Sequence, residues 1–342
     1  MDLGSICLVG GEIYLASVAL NLIHKGINNW PNESVKIRTQ TEPYYDMSSK
    51  PRSKYGIIIA DSPRIRLKKD FANAAALSYN AFISLGYESK NIFVLEGNKN
   101  PAARFEAVNL AASRKNLIDV IDFLSKKITP EDEFFMSVFA HGEPTVDLPF
   151  FSYTGQSKIL LSSKSKDSIN ETDLERMLSK LNPKYSILFF NSCFGGGFAK
   201  RLGVEKTIAI SLSRSDKVSS ASTSPSLKEK YGPSGSTFTL VFFSALRGCF
   251  SDGVPIELPS RDLCSIFDYA AKMEKQDYSD IFTNSSFIMR MYDNYCKKNG
   301  IESADYFLTR LKNHFEKFSS FGRNTPHMIY GRINPAELRL GR

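Results

Sequence analysis

The sequence has few of the side chains that build metal centres and disulfide frameworks. Its 342 residues include four histidines and five cysteines, and the cysteines form no Cys-x-x-Cys pair. An odd number of widely spaced cysteines is typical of proteins whose thiols stay reduced. We therefore expect no disulfide framework, no metal and no cofactor. The five cysteines are Cys7, Cys193, Cys249, Cys264 and Cys296.

Long apolar runs and concentrated charge are also absent. Residues 3–23 are apolar, but Asp2 precedes them, Glu12 interrupts them and no basic segment leads into them. We therefore expect neither a signal peptide nor a membrane span. The net charge is +8, yet clusters of lysine and arginine are no larger than residues 64–69, which is too small for a nucleic-acid interface. The sequence thus predicts a cytoplasmic protein without nucleic-acid or membrane partners, and it indicates no oligomeric state.

What the sequence does contain is a regular alternation between residues 55 and 250. Short apolar segments alternate there with segments whose apolar residues recur every three or four positions. This pattern predicts an α/β fold, in which helices cover both faces of a mostly parallel sheet. The predicted strands are 55–60, 91–95, 133–140, 187–190 and 207–212, and the predicted helices are 71–86, 113–127, 170–181 and 237–246.

The two ends of the chain differ from this alternating region. Residues 1–50 end in a polar stretch with several prolines, which favours an irregular leader or a small appendage. Residues beyond Gly253 favour helices and then one short strand. We predict a single domain over residues 54–335, with a helical insertion at about 255–320. The predicted late helices are around 261–274, 286–298 and 303–318, and the last strand lies within 324–331.

Two of the predicted strands run into side chains that suit nucleophilic catalysis. Strand 133–140 is followed by His141 and Gly142, and strand 187–190 is followed shortly by Cys193. If the strands are neighbours in a parallel sheet, both side chains emerge at the same edge. A cysteine attacks as the thiolate, and a histidine supplies the proton for the leaving group. The amides of Gly142 and Cys193 are then suited to binding the oxyanion.

The segment after Cys193 contains three consecutive glycines, residues 195–197. Glycine allows a sharp turn and a close approach of the backbone to a ligand. A helix beginning at about residues 197–200 would direct its positive end towards the thiol and favour the thiolate. The alternative is a small cysteine packed in the core, because free cysteine is among the most buried residue types.

These residues resemble the caspase, legumain and metacaspase superfamily of cysteine peptidases, including its bacterial members. The resemblance is carried by Phe-Ala-His141-Gly142 and by Phe-Phe-Asn-Ser-Cys193-Phe-Gly. Three further segments are similar to the same superfamily, so the resemblance spans about residues 54–335. They are Arg66-Leu-Lys-Lys-Asp70, Gly235-Ser-Thr-Phe and Asn324-Thr-Pro-His-Met-Ile-Tyr-Gly.

The resemblance implies a caspase-like three-layer sandwich and endopeptidase activity on protein or peptide substrates. His141 and Cys193 would form the catalytic dyad, and Gly142 and Cys193 the oxyanion hole. Arg66 and Ser211 would line the pocket for the side chain before the scissile bond, which favours cleavage after Asp or Asn. Arg64 is an alternative to Arg66. Asp61 or Asp216 would instead favour Lys or Arg in that pocket.

Three positions of the cysteine turn depart from the superfamily pattern. Asn191 and Ser192 stand where an acidic residue is common, and Gly195 stands where serine is usual. A catalytically inactive caspase-like scaffold for protein interaction is therefore an alternative.

A second alternative is an α/β-hydrolase with a cysteine nucleophile. That fold needs its histidine after the nucleophile, so His314 or His327 would replace His141. A dinucleotide-binding loop is not favoured, because the three adjacent glycines lack the spaced G-x-G-x-x-G pattern.

Overall fold

The computed structural model describes residues 34–46, 49–61, 65–97, 105–147, 152–161, 167–215, 227, 230–231, 236–283 and 326–340. For residues 65–69, 145–147, 152–155 and 277–283 it describes the backbone only. Glu33–Met273 and Asn324–Arg342 form one compact unit. The other unit, Met1–Asn32 and Glu274–Arg323, lies almost entirely outside the described residues, and so do the predicted helices 286–298 and 303–318.

A mostly parallel sheet forms the centre of the compact unit, as the alternating pattern predicts. Its strand order is β1-β10-β9-β8-β5-β2-β3-β4, and the β9–β10 pair is antiparallel while the other neighbours along this order are parallel. β5 extends beyond the sheet and pairs there with an antiparallel ribbon of β6 and β7. The strands are β1 Val35–Arg38, β2 Lys54–Asp61, β3 Ile92–Glu96, β4 Val108–Ala111, β5 Glu133–Asp147, β6 Ser152–Leu160, β7 Ser168–Asn170, β8 Tyr185–Asn191, β9 Thr207–Ser211 and β10 His327–Tyr330.

Helices cover both faces of this sheet. One hydrophobic cluster joins α1, α5 and α6 to one face, and a second joins α2, α3 and α4 to the other. Successive side chains of β2 alternate between them: Ile58 belongs to the first cluster, and Ile57 and Ile59 belong to the second. The predicted three-layer sandwich is thus confirmed, and it is consistent with a caspase-like fold. The helices are α1 Ile65–Ser84, α2 Arg114–Leu124, α3 Glu171–Leu178, α4 Gly195–Leu202, α5 Thr237–Arg247 and α6 Leu263–Thr283.

Side-chain caps fix the start of three helices. The side-chain oxygens of Ser113, Asn170 and Ser236 accept hydrogen bonds from the amide three residues further on. Such a cap satisfies one of the amides that the first helical turn leaves without a partner. In the Asn170 cap, the side-chain oxygen lies 2.7 Å from the amide nitrogen of Asp173.

The elements that sequence patterns did not predict are peripheral. β1 lies within residues 1–50, where no regular structure is expected, and it pairs with β10 at the edge of the sheet. Three of its four residues are exposed, so it lacks the continuous apolar run of a buried strand. The ribbon of β6 and β7 was missed as well, and β5 continues to Asp147 instead of ending at residue 140.

Candidate active site

The strand register brings His141 and Cys193 to the same place at the edge of the sheet. β5 and β8 are parallel neighbours, and Phe139 is paired with Asn191 at an offset of 52 residues. His141 and Cys193 are also 52 residues apart in the sequence. Each therefore lies two residues beyond that pair. The predicted adjacency of the two strands is therefore correct.

Gly142 packs directly against the backbone of Cys193. A Cβ at position 142 would overlap the carbonyl oxygen of Cys193 and lie 3.2 Å from its amide nitrogen. No larger residue fits there unless the turn moves. Gly142 was predicted from the chemistry of an oxyanion hole, and the structure adds a packing requirement for glycine at this position.

Both side chains of the predicted dyad are partly exposed. Cys193 is a free cysteine of intermediate exposure, and His141 has intermediate exposure as well. The strand residues that precede them are buried: Phe139 and Phe190 have no exposed surface. Cys193 thus differs from the fully buried core cysteine that was the alternative interpretation.

The turn after Cys193 is made by Phe194 and not by the glycines. Phe194 adopts φ = 59° and ψ = 14°, the left-handed conformation that costs a residue with a side chain about 1–2 kcal/mol. Helix α4 begins at the next residue, Gly195. The helix therefore starts two residues earlier than the earliest predicted position, residue 197.

The glycines of α4 are required for helix packing. A Cβ on Gly196 would lie 2.6 Å from the carbonyl oxygen of Ser213, and a Cβ on Gly197 would overlap the carboxylate of Glu171. Both glycines are buried. The expectation that the glycines make the turn and admit a ligand is thus corrected: they let α4 pack against its neighbours.

Glu171 is a buried carboxylate next to α4 that sequence patterns did not identify. It is 6% exposed and accepts a hydrogen bond of 2.8 Å from the amide of Ser157. Burial raises the pKa of Glu171, and the hydrogen bond from the Ser157 amide partly offsets this rise. Its place at the start of α3, directly after the Asn170 cap, gave no indication of this contact, because the contact depends on the packing of α3 against α4.

All three positions that depart from the superfamily pattern are buried. Asn191 is 4% exposed, and its side-chain amide donates to Thr239 Oγ1 at 2.9 Å. This bond joins the end of β8 to the first turn of α5. Ser192 is 1% exposed, and its hydroxyl has no hydrogen-bond partner among the described residues. A Cβ on Gly195 would lie 3.1 Å from that hydroxyl, so space beside Ser192 is tight.

The predicted pocket residues are not brought together by the described contacts. Arg66 lies in the first turn of α1, where the backbone alone is described. Ser211, at the end of β9, is fully buried, and its hydroxyl donates to the carbonyl oxygen of Ser213 at 2.7 Å. The assignment of both residues to a substrate pocket stays a prediction.

The alternative pocket residues are placed differently. Asp61 is 3% exposed at the end of β2, and its carboxylate lies against Gly97, where a Cβ would overlap it. Arg64 and Asp216 lie outside the described residues.

Of the two alternative catalytic histidines, only His327 lies within the described residues, and it is placed less favourably than His141. His314 lies outside the described residues. His327 begins β10, where it is paired with Ser211 of β9, so two strand spacings separate its strand from β8. Neighbouring strands are about 4.8 Å apart, and His141 is on the strand next to β8. The topology therefore favours His141 as the partner of Cys193.

The described residues contain neither a membrane-spanning helix nor a group of metal ligands. No helix in the described ranges is long and apolar enough to cross a membrane. Within the same ranges, no three His, Cys, Asp or Glu side chains are grouped so that they could hold a metal ion.

Comparison with known proteins gives similarity in structure only. No family model matches the chain, and no curated protein matches it in sequence. A solved structure of a Geobacter sulfurreducens protein is 13% identical with a TM-score of 0.40, and the match covers 64% of this chain and 88% of that chain. Caspase-1 from Spodoptera frugiperda is 11% identical with a TM-score of 0.40, and the match covers 68% and 81% of the two chains.

Proposed function

We propose that this protein is a cysteine endopeptidase that hydrolyses peptide bonds with a Cys193–His141 dyad. The observation that carries the proposal is the shared offset of 52 residues, which sets His141 beside Cys193. The packing of Gly142 against the Cys193 backbone supports it, because this contact fixes the peptide next to the histidine against the nucleophile turn.

The chemistry follows from these positions. His141 accepts the proton of the Cys193 thiol, and the thiolate attacks the carbonyl carbon of the scissile bond. The amides of Gly142 and Cys193 donate to the oxyanion of the tetrahedral intermediate. His141 then protonates the leaving amine as the C–N bond breaks, and an acyl-thioester remains on Cys193. A water molecule, deprotonated by His141, hydrolyses the thioester and restores the thiol.

The proposed specificity rests on Arg66. The similarity of Arg66-Leu-Lys-Lys-Asp70 to the superfamily supports Arg66 as the residue that pairs with an acidic or amide side chain before the scissile bond. Cleavage after Asp or Asn is therefore the proposed preference.

A peptide-library assay tests activity and specificity together. Cys193→Ala should lower hydrolysis by on the order of 10⁴-fold or more, because the nucleophile is lost, whereas the matched control Cys249→Ala should hydrolyse at the wild-type rate. Arg66→Ala should selectively lower cleavage after Asp or Asn, whereas the same selective loss in Arg64→Ala instead would assign that role to Arg64.

Unchanged hydrolysis in Cys193→Ala would contradict the assignment of the nucleophile. An equal loss on every peptide in Arg66→Ala would assign a structural role to that arginine. If the wild-type protein cleaves no peptide and Cys193 shows no selective reactivity, the inactive scaffold is the better interpretation.

A further inference from the structure

The turn that carries Cys193 is held by a residue from a different strand connection. Ser213 follows β9 and is fully buried. Its hydroxyl donates to the carbonyl oxygen of Ser192 at 2.9 Å and accepts from the amide of Gly195 at 3.1 Å. Ser192 and Gly195 flank the nucleophile turn on either side. One hydroxyl therefore bridges the residue before Cys193 and the residue that starts α4.

Ser213 is itself fixed by its neighbours. Its carbonyl oxygen accepts from Ser211 Oγ at 2.7 Å and faces Gly196, where a Cβ would lie 2.6 Å away. The amide of Leu212 donates to the carbonyl oxygen of Phe190 at 3.2 Å, which ties the same segment to the end of β8. The hydroxyl is thus presented to the turn from a rigid position.

The turn needs such support because Phe194 is in the left-handed conformation. A bulky residue keeps this conformation only when the surrounding structure determines it. Gly142 restrains the turn by packing against the Cys193 carbonyl group. Ser213 restrains it through its hydrogen bonds to Ser192 and Gly195.

We propose that Ser213 is a positioning residue, which holds the Cys193 turn in the geometry that places the thiol beside His141. This inference rests on the proposed function. Ser213 would thus contribute to the reaction without contacting the substrate. Loss of its hydroxyl would let Phe194 relax and move the thiol away from the imidazole.

The test compares two fully buried serines. Ser213→Ala removes the bridge across the turn. Ser78→Ala, the matched control, removes an equally buried hydroxyl whose described partner is Ser137 Oγ at 2.8 Å. The rate of alkylation of Cys193 by iodoacetamide is measured for each variant as a function of pH, resolved by site with Cys249 as the internal reference.

Ser213→Ala should alkylate Cys193 about tenfold to a hundredfold more slowly than the wild type near neutral pH, as expected for a small misplacement of a catalytic group. Its kcat on peptides should fall by a similar factor, with KM little changed. Ser78→Ala should lower the thermal midpoint by a similar amount but leave the rate at Cys193 unchanged. Ser213→Thr, which keeps the hydroxyl, should recover most of the rate.

Two results would overturn the inference. If Ser213→Ala and Ser78→Ala give equal rates at Cys193, Ser213 is merely structural, although the proposed function still stands. If the wild-type protein shows no His141-dependent reactivity at Cys193, both the function and the inference fail. Should Ser213→Ala not fold, Ser211→Ala loosens the Ser213 carbonyl instead: a smaller, selective loss at Cys193 supports the inference, and an unchanged rate contradicts it.

Discussion

An ionisable side chain lies at each end of the part of β5 that pairs within the central sheet, and the two side chains differ in what they can do. Glu133, at the first position of the strand, is fully buried. Its carboxylate accepts from the hydroxyls of Tyr87 and Tyr185, the latter at 2.7 Å, and lies 3.5 Å from Lys54 Nζ. His141, immediately after the last residue of β5 that pairs within the central sheet, is partly exposed beside Cys193.

Glu133 and His141 differ in their access to solvent. Glu133 is buried among its hydrogen-bond partners, whereas His141 is partly exposed. A buried carboxylate with three partners stabilises the fold only while every partner is kept. Burial, followed by the charge of Glu133, raises the pKa of Tyr87 and of Tyr185 well above the usual value. This end of the strand therefore contains strongly perturbed groups without a route for substrate. A perturbed pKa alone does not identify an active site, and the partly exposed end is the better candidate.

The largest expected effect on stability is at the buried end. Glu133→Ala leaves two tyrosine hydroxyls and Lys54 without their acceptor, so the free energy of unfolding should fall by about 3–5 kcal/mol. The exposed Glu131→Ala, which loses only a 3.8 Å ion pair with Arg52, should change it by less than about 0.5 kcal/mol. Denaturant titration measures both values. Equal effects would show that the Glu133 cluster contributes no special stability.

The addition of one methyl group beside the Cys193 turn should lower both stability and the rate of hydrolysis. Gly142→Ala places a Cβ on the carbonyl oxygen of Cys193, and such overpacking costs about 1–3 kcal/mol of stability. Because the turn must shift, peptide hydrolysis should fall by about 10²-fold in the protein that remains folded. Steady-state kinetics at a temperature well below the melting point check this. Wild-type kinetics in Gly142→Ala would mean that the turn tolerates displacement.

The smallest expected effect is a loss of stability at alkaline pH. It arises only from the two tyrosines that donate to Glu133. Burial and the charge of Glu133 raise the pKa of Tyr87 and Tyr185 well above the ordinary value of about 10, so the folded state retains protons that the unfolded chain releases. Stability should be complete below about pH 10 and should decline as the pH rises further. Tyr185→Phe should be less stable at neutral pH but show a shallower decline in urea titrations above pH 10. An unchanged slope would exclude Tyr185 as a source of the decline.

Much of the fold follows from continuous apolar runs. The runs at 55–60, 133–140 and 187–190 correspond to β2, β5 and β8, because strands covered on both faces must be apolar on both. β1 and the β6–β7 ribbon lack such runs. Whether these segments form strands depends on which strand lies beside them. The local sequence pattern does not show which strand that is.

Part of the candidate site could be predicted from the same continuous apolar runs. His141 and Gly142 directly follow the apolar run of β5, and Cys193 comes shortly after that of β8, so the ends of the apolar runs and the residue chemistry point to them. Glu171 and Ser213 contact α4 and its first residues through packing of α3 and of the β9 connection against that helix. Polar residues of this kind are common in loops and at helix starts, and their contacts depend on the sheet order.

The most direct test of the paired His141 and Cys193 is the rate at which iodoacetamide alkylates each cysteine, resolved by site across pH 5–9, in the wild type and in His141→Ala. Cys193 should react faster than Cys249 near neutral pH, and this difference should disappear in His141→Ala while the rate at Cys249 stays the same. Equal pH–rate profiles at Cys193 with and without His141 would contradict the dyad.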